Sequence, residues 1–218
     1  MTSATVPAME LRAVIFDLGG VVFPSPFEAF DAYDHDHGLP VGSVRGLIRI
    51  SSETGAWAAL ERGELTMAQF HDALEGEAQL AGFALEAEKL MQRVGAGFGP
   101  RPTMLHAIHR IRNAGIATAA LTNNWIAPDG RGVAVNGHDE LAFDVVVESA
   151  VEGLRKPDPR IYELVLARLG VAAEHCVFLD DLGINLKPAR AMGMTTIKVT
   201  DPDDALRELE TVLDVALT

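Results

Sequence analysis

Cysteine is almost absent from this chain of 218 residues, whose one thiol is Cys176. A lone cysteine cannot form a disulfide within the chain, so the sequence favours a reducing compartment, and we expect a cytoplasmic protein. Residues 1–10 contain neither a basic segment nor an apolar one and give no indication of a signal peptide. No apolar run approaches the length needed to span a bilayer, so we expect no membrane partner.

Basic residues are scarce as well, with 18 Lys and Arg against 31 Asp and Glu and a formal net charge of −13. This excess of acid disfavours a surface for nucleic acids or anionic lipids, which would require a basic patch. Hydrophobic residues make up 48% of the chain, a proportion typical of globular proteins and not of disordered ones. The length allows one buried core and a smaller attached unit, in a monomer or a homodimer.

The apolar pattern divides the chain into two parts. Residues 12–23 begin with an apolar run that leads into Asp17, which is typical of a buried strand in a parallel sheet. Strand-like and helical segments alternate from Pro102 onward, apart from a loop predicted at 126–140, whereas residues 24–100 contain only helical patterns. We therefore predict an α/β fold with a doubly wound, Rossmann-like parallel sheet formed by residues 10–23 and 101–218, and a helical insertion over 24–100.

Polar residues end the predicted strands, and the carboxyl ends of parallel strands lie at one edge of a sheet. These residues are Asp17, Thr122 with Asn123, Glu148, and Asp180 with Asp181. Carboxylates held together repel one another unless a cation lies among them, and a set of hard oxygen ligands suits Mg²⁺ that also binds a phosphate. Lys156, which precedes a predicted helix, could supply a positive charge to the same anion. The pattern predicts a site for phosphoryl transfer.

Four motifs resemble those of the haloacid dehalogenase-like hydrolase superfamily and occur in the order typical of it. They are Phe16–Val21, Leu121–Asn123, Lys156–Pro157 and Phe178–Asn185. Longer stretches are similar to the N-terminal phosphatase domain of soluble epoxide hydrolase: Glu61–Thr66, Leu121–Trp125, Lys156–Tyr162 and Val177–Gly193. The resemblance implies that 24–100 is a helical cap. It does not imply epoxide chemistry, because the epoxide-hydrolysing domain has no counterpart in these residues.

The resemblance also implies a role for each motif residue. Asp17 is the expected nucleophile that forms an aspartyl-phosphate, and Lys156 is expected to steady both this carboxylate and the phosphate. Thr122 and Asn123 are expected to hold the phosphoryl oxygens.

The expected metal ligands are Asp17, the backbone carbonyl of Gly19, Asp180 and Asp181. Of the paired aspartates, Asp181 is the expected direct Mg²⁺ ligand, with Asp180 beside it or acting through water. Asn185 is expected behind these ligands or against a phosphate-bound group, and it could instead be a helix N-cap.

Gly19 departs from the family pattern, which usually has a second aspartate two residues after the nucleophile. The backbone carbonyl of a glycine can still bind Mg²⁺, but glycine has no side chain to protonate the leaving oxygen and then activate water. A positioned general acid–base group contributes typically ~10²–10⁴-fold to a rate. The sequence therefore allows a slow or substrate-restricted enzyme, or another acid–base group in its place.

We expect a Mg²⁺-dependent phosphatase that hydrolyses a small phosphate monoester through an aspartyl-phosphate. One alternative is a non-catalytic phosphate-binding or regulatory protein, for which Gly19 is the evidence. The other is a haloacid dehalogenase, which would need neither Mg²⁺ nor the pair Asp180 and Asp181.

Several other polar or aromatic residues have two readings. Trp125 could line a pocket or pack over the motif beside it, and Glu148 could help to place Lys156 or simply end a strand. The acidic and histidine-rich segment 31–37 resembles a metal site in composition, but its spacing favours a solvated helix end. His106 and His109 lie three residues apart on a predicted helix, where an exposed face is the simpler interpretation.

Overall fold

The computed structural model describes residues 10–50, 53–97, 99–127, 130, 132 and 141–217. Within these residues five parallel strands form one sheet in the order β3-β2-β1-β4-β5. The strands are β1 (Ala13–Phe16), β2 (Ala117–Thr122), β3 (Val145–Glu148), β4 (Cys176–Asp180) and β5 (Thr195–Lys198). In the centre, Ile15 of β1 pairs with Ala119 on one side and Phe178 on the other. The predicted doubly wound α/β fold is confirmed.

The α-helices lie between and after these strands. In the described residues they are α1 (Pro26–Asp36), α2 (Ser43–Ile50), α3 (Ala56–Glu61), α4 (Met67–Leu80), α5 (Ala87–Ala96), α6 (Pro102–Asn113), α7 (Ser149–Glu152), α8 (Pro159–Leu169), α9 (Gly183–Ala191) and α10 (Pro202–Leu213). Side chains accept backbone N–H groups in the first turns of four of them, where a helix has no internal acceptor. These N-caps are Ser25, Thr66, Asp158 and Asp201.

Both faces of the sheet are covered, because successive side chains of a strand point to opposite sides. Val14 and Phe16 belong to the apolar cluster that includes residues of α6 and α10. Ala13 and Ile15 belong to the cluster that includes residues of α8 and α9. Burial on both faces explains why β1 is a continuous apolar run with no alternation of polar residues.

The segment 24–100 contains α1 to α5, which pack around a third apolar cluster that includes Phe30, Trp57, Phe70 and Leu90. The polar contacts of this segment are also largely internal. The carboxylate of Asp34, for example, accepts the backbone N–H groups of Gly42 and Val44 ahead of and within α2. The division of the chain into a core of 10–23 and 101–218 and a cap of 24–100 stays a prediction, which this separate cluster supports.

Two further predictions concern the loop at 126–140 and the lack of a segment that could span a membrane. Most of the loop predicted at 126–140 lies outside the described residues, namely 128–129, 131 and 133–140. Among the helices that the structure describes, none is long and apolar enough to cross a bilayer.

The turn after α3 packs closely against the core. Gly63 has φ +69°, and a Cβ atom there would collide with the carbonyl oxygen of Ala150 in α7. Gly38 has a similar φ of +64°, but a Cβ atom there would meet nothing within 4 Å. The two glycines therefore separate backbone strain from steric collision.

We predict that Gly38→Ala lowers the free energy of unfolding by about 1 kcal/mol, the cost of left-handed backbone for an L-residue. Gly63→Ala should cost at least about 1 kcal/mol more, because the added methyl group overpacks the contact with α7. Urea unfolding of both variants measures the difference. Equal losses would contradict a close contact between this turn and α7.

Candidate active site

Asp17 is the first residue after β1. Its backbone N–H donates to the carbonyl of Leu179 at 2.9 Å, which keeps it beside the end of β4. Its carboxylate oxygen Oδ1 accepts the N–H of Leu18 at 2.7 Å, and the residue is only 7% exposed. The predicted nucleophile is therefore a buried carboxylate at the carboxyl edge of the sheet.

Asp180 ends β4, and a network of donors surrounds its fully buried carboxylate. Oδ1 accepts the N–H of Leu182 at 2.8 Å, and the Asn185 amide donates to Oδ1 and Oδ2 at 3.0 and 3.1 Å. Asn185 lies in α9, and its carbonyl accepts the Tyr162 hydroxyl at 2.7 Å. The place of Asn185 behind the metal ligands stays a prediction, which its contact with Asp180 supports. The alternative of an N-cap is wrong, because Leu182 occupies the N-cap position of α9.

Asp181 is partly exposed and lies against Gly20. Gly20 has φ +80°, and a Cβ atom there would collide with the Asp181 carboxylate. The turn after Asp17 can pass this close only with glycine at position 20. Gly19 precedes it, so the backbone that was predicted to contribute a metal ligand runs beside Asp181.

Lys156 lies between two of the carboxylates. Its ammonium Nζ is 2.9 Å from Asp17 Oδ1 and 2.7 Å from Asp180 Oδ2, and its side chain is 1% exposed. Asn123 fixes the backbone of the lysine: its amide oxygen accepts the Lys156 N–H at 2.8 Å, and its amide nitrogen donates to the Lys156 carbonyl at 3.1 Å. The lysine is therefore held at both ends, by carboxylates and by Asn123.

This use of the Asn123 amide was not predicted, since sequence reasoning gave the residue a contact with phosphate. Both side-chain polar groups contact the Lys156 backbone instead. Thr122, the last residue of β2, is 3% exposed, and its hydroxyl donates to the Asn123 carbonyl at a long 3.4 Å. A phosphate contact of Thr122 or of the Asn123 backbone stays a prediction.

The charges at this edge do not balance. Ligand oxygens of Asp17, Asp180 and Asp181 lie within 4.8 Å of one another. Among the described residues, no other group of three or more Asp, Glu, His or Cys side chains is close enough to hold a metal ion. Burial raises the pKa of Asp17 well above its usual value and outweighs Lys156, which lowers that pKa. Burial and the charge of Asp180 raise the pKa of Asp181 to about 6.

The ammonium of Lys156 stays protonated in this cluster. Burial alone would lower its pKa, but the carboxylates of Asp17 and Asp180 outweigh burial and raise it. With all three carboxylates ionised, the cluster of these four side chains would carry one positive and three negative charges, an excess of two negative charges. This excess and the oxygen donors fit a divalent hard cation such as Mg²⁺.

The structure gives the contacts or exposure of the residues for which the sequence allowed two interpretations. The Glu148 carboxylate accepts the Asn124 amide at 2.9 Å, and Trp125 packs on Trp57 with ring centroids 6.3 Å apart. His106 and His109 are exposed, as predicted. In the segment 31–37 the prediction of a solvated helix end is only partly right, because Asp34 is fully buried.

Sequence reasoning assigned no role to Glu61, which joins the helical segment to the core. Its Oε1 accepts the indole N–H of Trp57 at 2.8 Å, and its Oε2 accepts the Nε–H of Arg155 at 2.7 Å. Glu61 is 8% exposed, and Arg155 immediately precedes Lys156. Glu61 begins one of the stretches that resemble a phosphatase domain, which could have indicated a functional role. No pattern in the sequence indicates Arg155, on a distant loop, as its partner.

Several proteins of known sequence are similar to this chain over most of its length. Acyl-CoA dehydrogenase family member 10 of Mus musculus is 40% identical over 94% of the chain and 19% of its own length. Bifunctional epoxide hydrolase 2 of Sus scrofa is 35% identical over 96% of the chain and 40% of its own length. Sesquiterpene phosphatase astK of Aspergillus oryzae is 31% identical over 87% of the chain and 90% of its own length. The chain therefore spans less than half of the first two relatives.

Among solved structures, the complex of the HAD family enzyme bt-2542 from Bacteroides thetaiotaomicron with magnesium and inorganic phosphate has a similar fold. The TM-score is 0.59 at 19% identity, over 86% of this chain and 93% of that one. A model of the haloacid dehalogenase-like hydrolases matches residues 11–193, which include all four strand-end motifs. Since this match spans most of the chain, the chain belongs to the haloacid dehalogenase-like hydrolase family.

Proposed function

We propose that this hydrolase is a Mg²⁺-dependent phosphatase that cleaves small phosphate monoesters through an aspartyl-phosphate on Asp17. The observation that carries the proposal is the cluster of Asp17, Asp180 and Asp181 at the carboxyl edge of the sheet, with the Lys156 ammonium in contact with the first two. The names of two relatives support it, since one is a sesquiterpene phosphatase and another a bifunctional epoxide hydrolase. The fold is also shared with an enzyme bound to magnesium and inorganic phosphate.

Asp17 is the proposed nucleophile, and its two carboxylate oxygens differ in their surroundings. Oδ1 accepts the Leu18 N–H and lies 2.9 Å from the Lys156 ammonium, so we assign the attack on phosphorus to Oδ2. The bond from Oδ2 to phosphorus forms while the bond to the leaving oxygen breaks. The leaving oxygen takes its proton from solvent water. A second water then attacks phosphorus, the bond to Oδ2 breaks and restores the Asp17 carboxylate, and inorganic phosphate leaves as dihydrogen phosphate with the protons of that water.

The carboxylates of Asp17 and Asp181 and the carbonyl of Gly19 would hold Mg²⁺, with Asp180 beside them. The bound ion would offset the excess negative charge of the site and that of the phosphoryl oxygens. Asp180 is the less available ligand, because its oxygens already accept from Leu182, Asn185 and Lys156. We assign it to hold Lys156 and Asn185 in place.

The phosphate itself would be held by Lys156, the Thr122 hydroxyl and the backbone after Thr122. We propose that residues 24–100 act as a cap over this site. Contacts of Glu61 with Arg155, and of Trp57 with Trp125, link the cap to loops beside the catalytic cluster. A cap in this place would exclude water and contact the leaving group. The proposed partner of the protein is therefore a small-molecule phosphate ester.

Gly19 favours a second candidate function, a non-catalytic phosphate-binding protein, because no acid–base side chain follows the nucleophile by two residues. Nothing in the backbone or the packing requires glycine there. A Cβ atom at position 19 would meet only Pro26 Cδ, at an ordinary 3.5 Å. Since the backbone and the space around a Cβ atom both admit a side chain, substitution at this position is a test of the chemistry.

We predict that Asp17→Asn lowers the rate of hydrolysis of an activated aryl phosphate by on the order of 10³-fold or more, because the nucleophile is lost. Chelation of Mg²⁺ should abolish turnover by the wild type. Release of the phenol, followed at saturating substrate, gives the rates. The control is Asp31→Asn, which removes an exposed carboxylate paired with Arg45 in the helical segment.

Binding of inorganic phosphate without turnover by the wild type, with or without Mg²⁺, would favour the non-catalytic alternative. Metal-independent release of halide from a 2-haloacid would favour a dehalogenase.

We predict that Gly19→Asp raises kcat on an unactivated alkyl phosphate by about 10²-fold, because it supplies a general acid–base group. Gly19→Asn has nearly the same size and cannot exchange a proton in this range, so it should give no gain. Steady-state kinetics of both variants measure the effect. A gain in both, or in neither, would show that acid–base catalysis at position 19 does not limit the rate.

We also predict that the Asp181 carboxyl group destabilises chelator-treated, metal-free protein, relative to Asp181→Asn, as the pH rises from about 4 to about 6, the span between the usual pKa of an aspartate and that of Asp181. The folded state holds the Asp181 proton more tightly than the unfolded state across this range. Deprotonation therefore costs stability, on the order of 2 kcal/mol. Mg²⁺ at 100 times its Kd should restore about 2.7 kcal/mol at pH 7.

Urea unfolding with chelator at about pH 4 and about pH 6 measures the first effect, and unfolding at pH 7 with chelator or with Mg²⁺ measures the second. Asp181→Asn should remove most of the loss at higher pH and most of the stabilisation by Mg²⁺. Asp72→Asn, which changes an exposed carboxylate of α4, should keep both. An unchanged response in Asp181→Asn would exclude this residue as a metal ligand.

A further inference from the structure

The carboxylate of Glu61 divides its two oxygens between the helical segment and the core. Oε1 accepts from the indole of Trp57, one turn earlier in α3, at 2.8 Å. Oε2 accepts from Arg155 of the core at 2.7 Å, through Nε and with Nη2 at the same distance. Both oxygens are therefore used, and each has a partner on a different side of the boundary.

Arg155 connects this contact to the candidate active site. The next residue is Lys156, whose backbone is held by the Asn123 amide and whose ammonium contacts Asp17 and Asp180. The loop that presents Lys156 is thus fixed from the end of β2 by Asn123 and from the helical segment by Glu61.

Burial makes this link more than a surface ion pair. The Glu61 side chain is 10% exposed and that of Arg155 is 19% exposed, whereas most exposed ion pairs contribute little. Apolar side chains of similar volume often stabilise a buried position as well as an ion pair does, so stability alone does not require this one. What the ion pair adds is a defined orientation of one loop relative to α3.

The surrounding contacts lie along the same boundary. The rings of Trp57 and Trp125 pack at 6.3 Å, edge to face, and Gly63 approaches the Ala150 carbonyl. Trp125 follows the motif at the end of β2, and Ala150 lies in α7, just after β3. The ends of two core strands therefore meet α3 and the turn that follows it.

We propose that Glu61 is a positioning residue for the hydrolysis, acting through Arg155 on the loop that carries Lys156 and through Trp57 on the orientation of α3. Its effect on the rate rests on the proposed phosphatase function. Its effect on the order of the loop does not.

The substitution Glu61→Gln tests this role with little change in shape. A carboxamide has one acceptor oxygen, so it can serve either Trp57 or Arg155, and its NH₂ group then faces the other donor. Arg155→Met removes the core partner, and Arg155→Lys keeps its charge. The matched control is Glu152→Gln, which breaks an ion pair of 2.8 Å with Arg168 between two core helices.

Two measurements are made on each variant. The first is kcat and KM on an activated aryl phosphate with Mg²⁺. The second is hydrogen exchange at the Lys156 amide, whose N–H donates to Asn123. We expect Glu61→Gln and Arg155→Met each to lower kcat about tenfold with KM changed less than threefold, because a small misplacement of a reacting group is costly.

The double variant that combines Glu61→Gln with Arg155→Met should be no slower than either single variant, since both substitutions break the same ion pair. Exchange at Lys156 should rise about tenfold in these variants. Arg155→Lys should restore most of both properties, and Glu152→Gln should match the wild type.

Wild-type kcat and exchange in Glu61→Gln, or an equal change in Glu152→Gln, would overturn the proposal. Additive losses in the double variant would do so as well, since the two residues would then act separately. If Glu61→Gln does not fold, the comparison of Arg155→Met with Arg155→Lys decides. If the wild type shows no turnover, the phosphatase function fails, and the exchange data alone decide whether Glu61 positions the loop.

Discussion

The contact of the Lys156 ammonium with Asp17 and Asp180 is the interaction around which the site is arranged. An unpaired buried charge is costly, so a lysine that is 1% exposed can be kept charged only where carboxylates surround it. The sheet order brings these carboxylates together, since β1 and β4 are neighbours and Asp17 and Asp180 lie at their carboxyl ends. Asn123 and Asn185 then fix the lysine backbone and the Asp180 carboxylate.

Much of this arrangement follows from the sequence through simple periodicity. A continuous apolar run ending in a carboxylate identified β1, and alternating strands and helices from Pro102 implied a parallel sheet. Because such a sheet aligns its carboxyl ends, residues as distant in sequence as Asp17 and Asp181 could be assigned to one edge. Charge repulsion among these carboxylates then indicates a cation from the sequence alone.

What the sequence left open depends on contacts between distant segments. From the sequence Asn123 could form a turn or, as expected here, contact phosphate, and only its position against the Lys156 loop shows where its amide donates and accepts. From the sequence Asn185 could be an N-cap, but it lies within α9, and its amide donates to the Asp180 carboxylate. Glu61 and Arg155 are separated by 94 residues, and no local pattern pairs them.

The two glycines after Asp17 differ in whether the fold requires them. Gly20 is required by shape, because its φ is +80° and a side chain would enter the space of Asp181. Gly19 meets neither condition, since its backbone suits other residues and a Cβ atom would make an ordinary contact with Pro26. The missing side chain at position 19 therefore does not follow from the fold. It is consistent with a reaction whose leaving group needs no proton from this position, or with an acid–base group supplied by the substrate or by the helical segment 24–100.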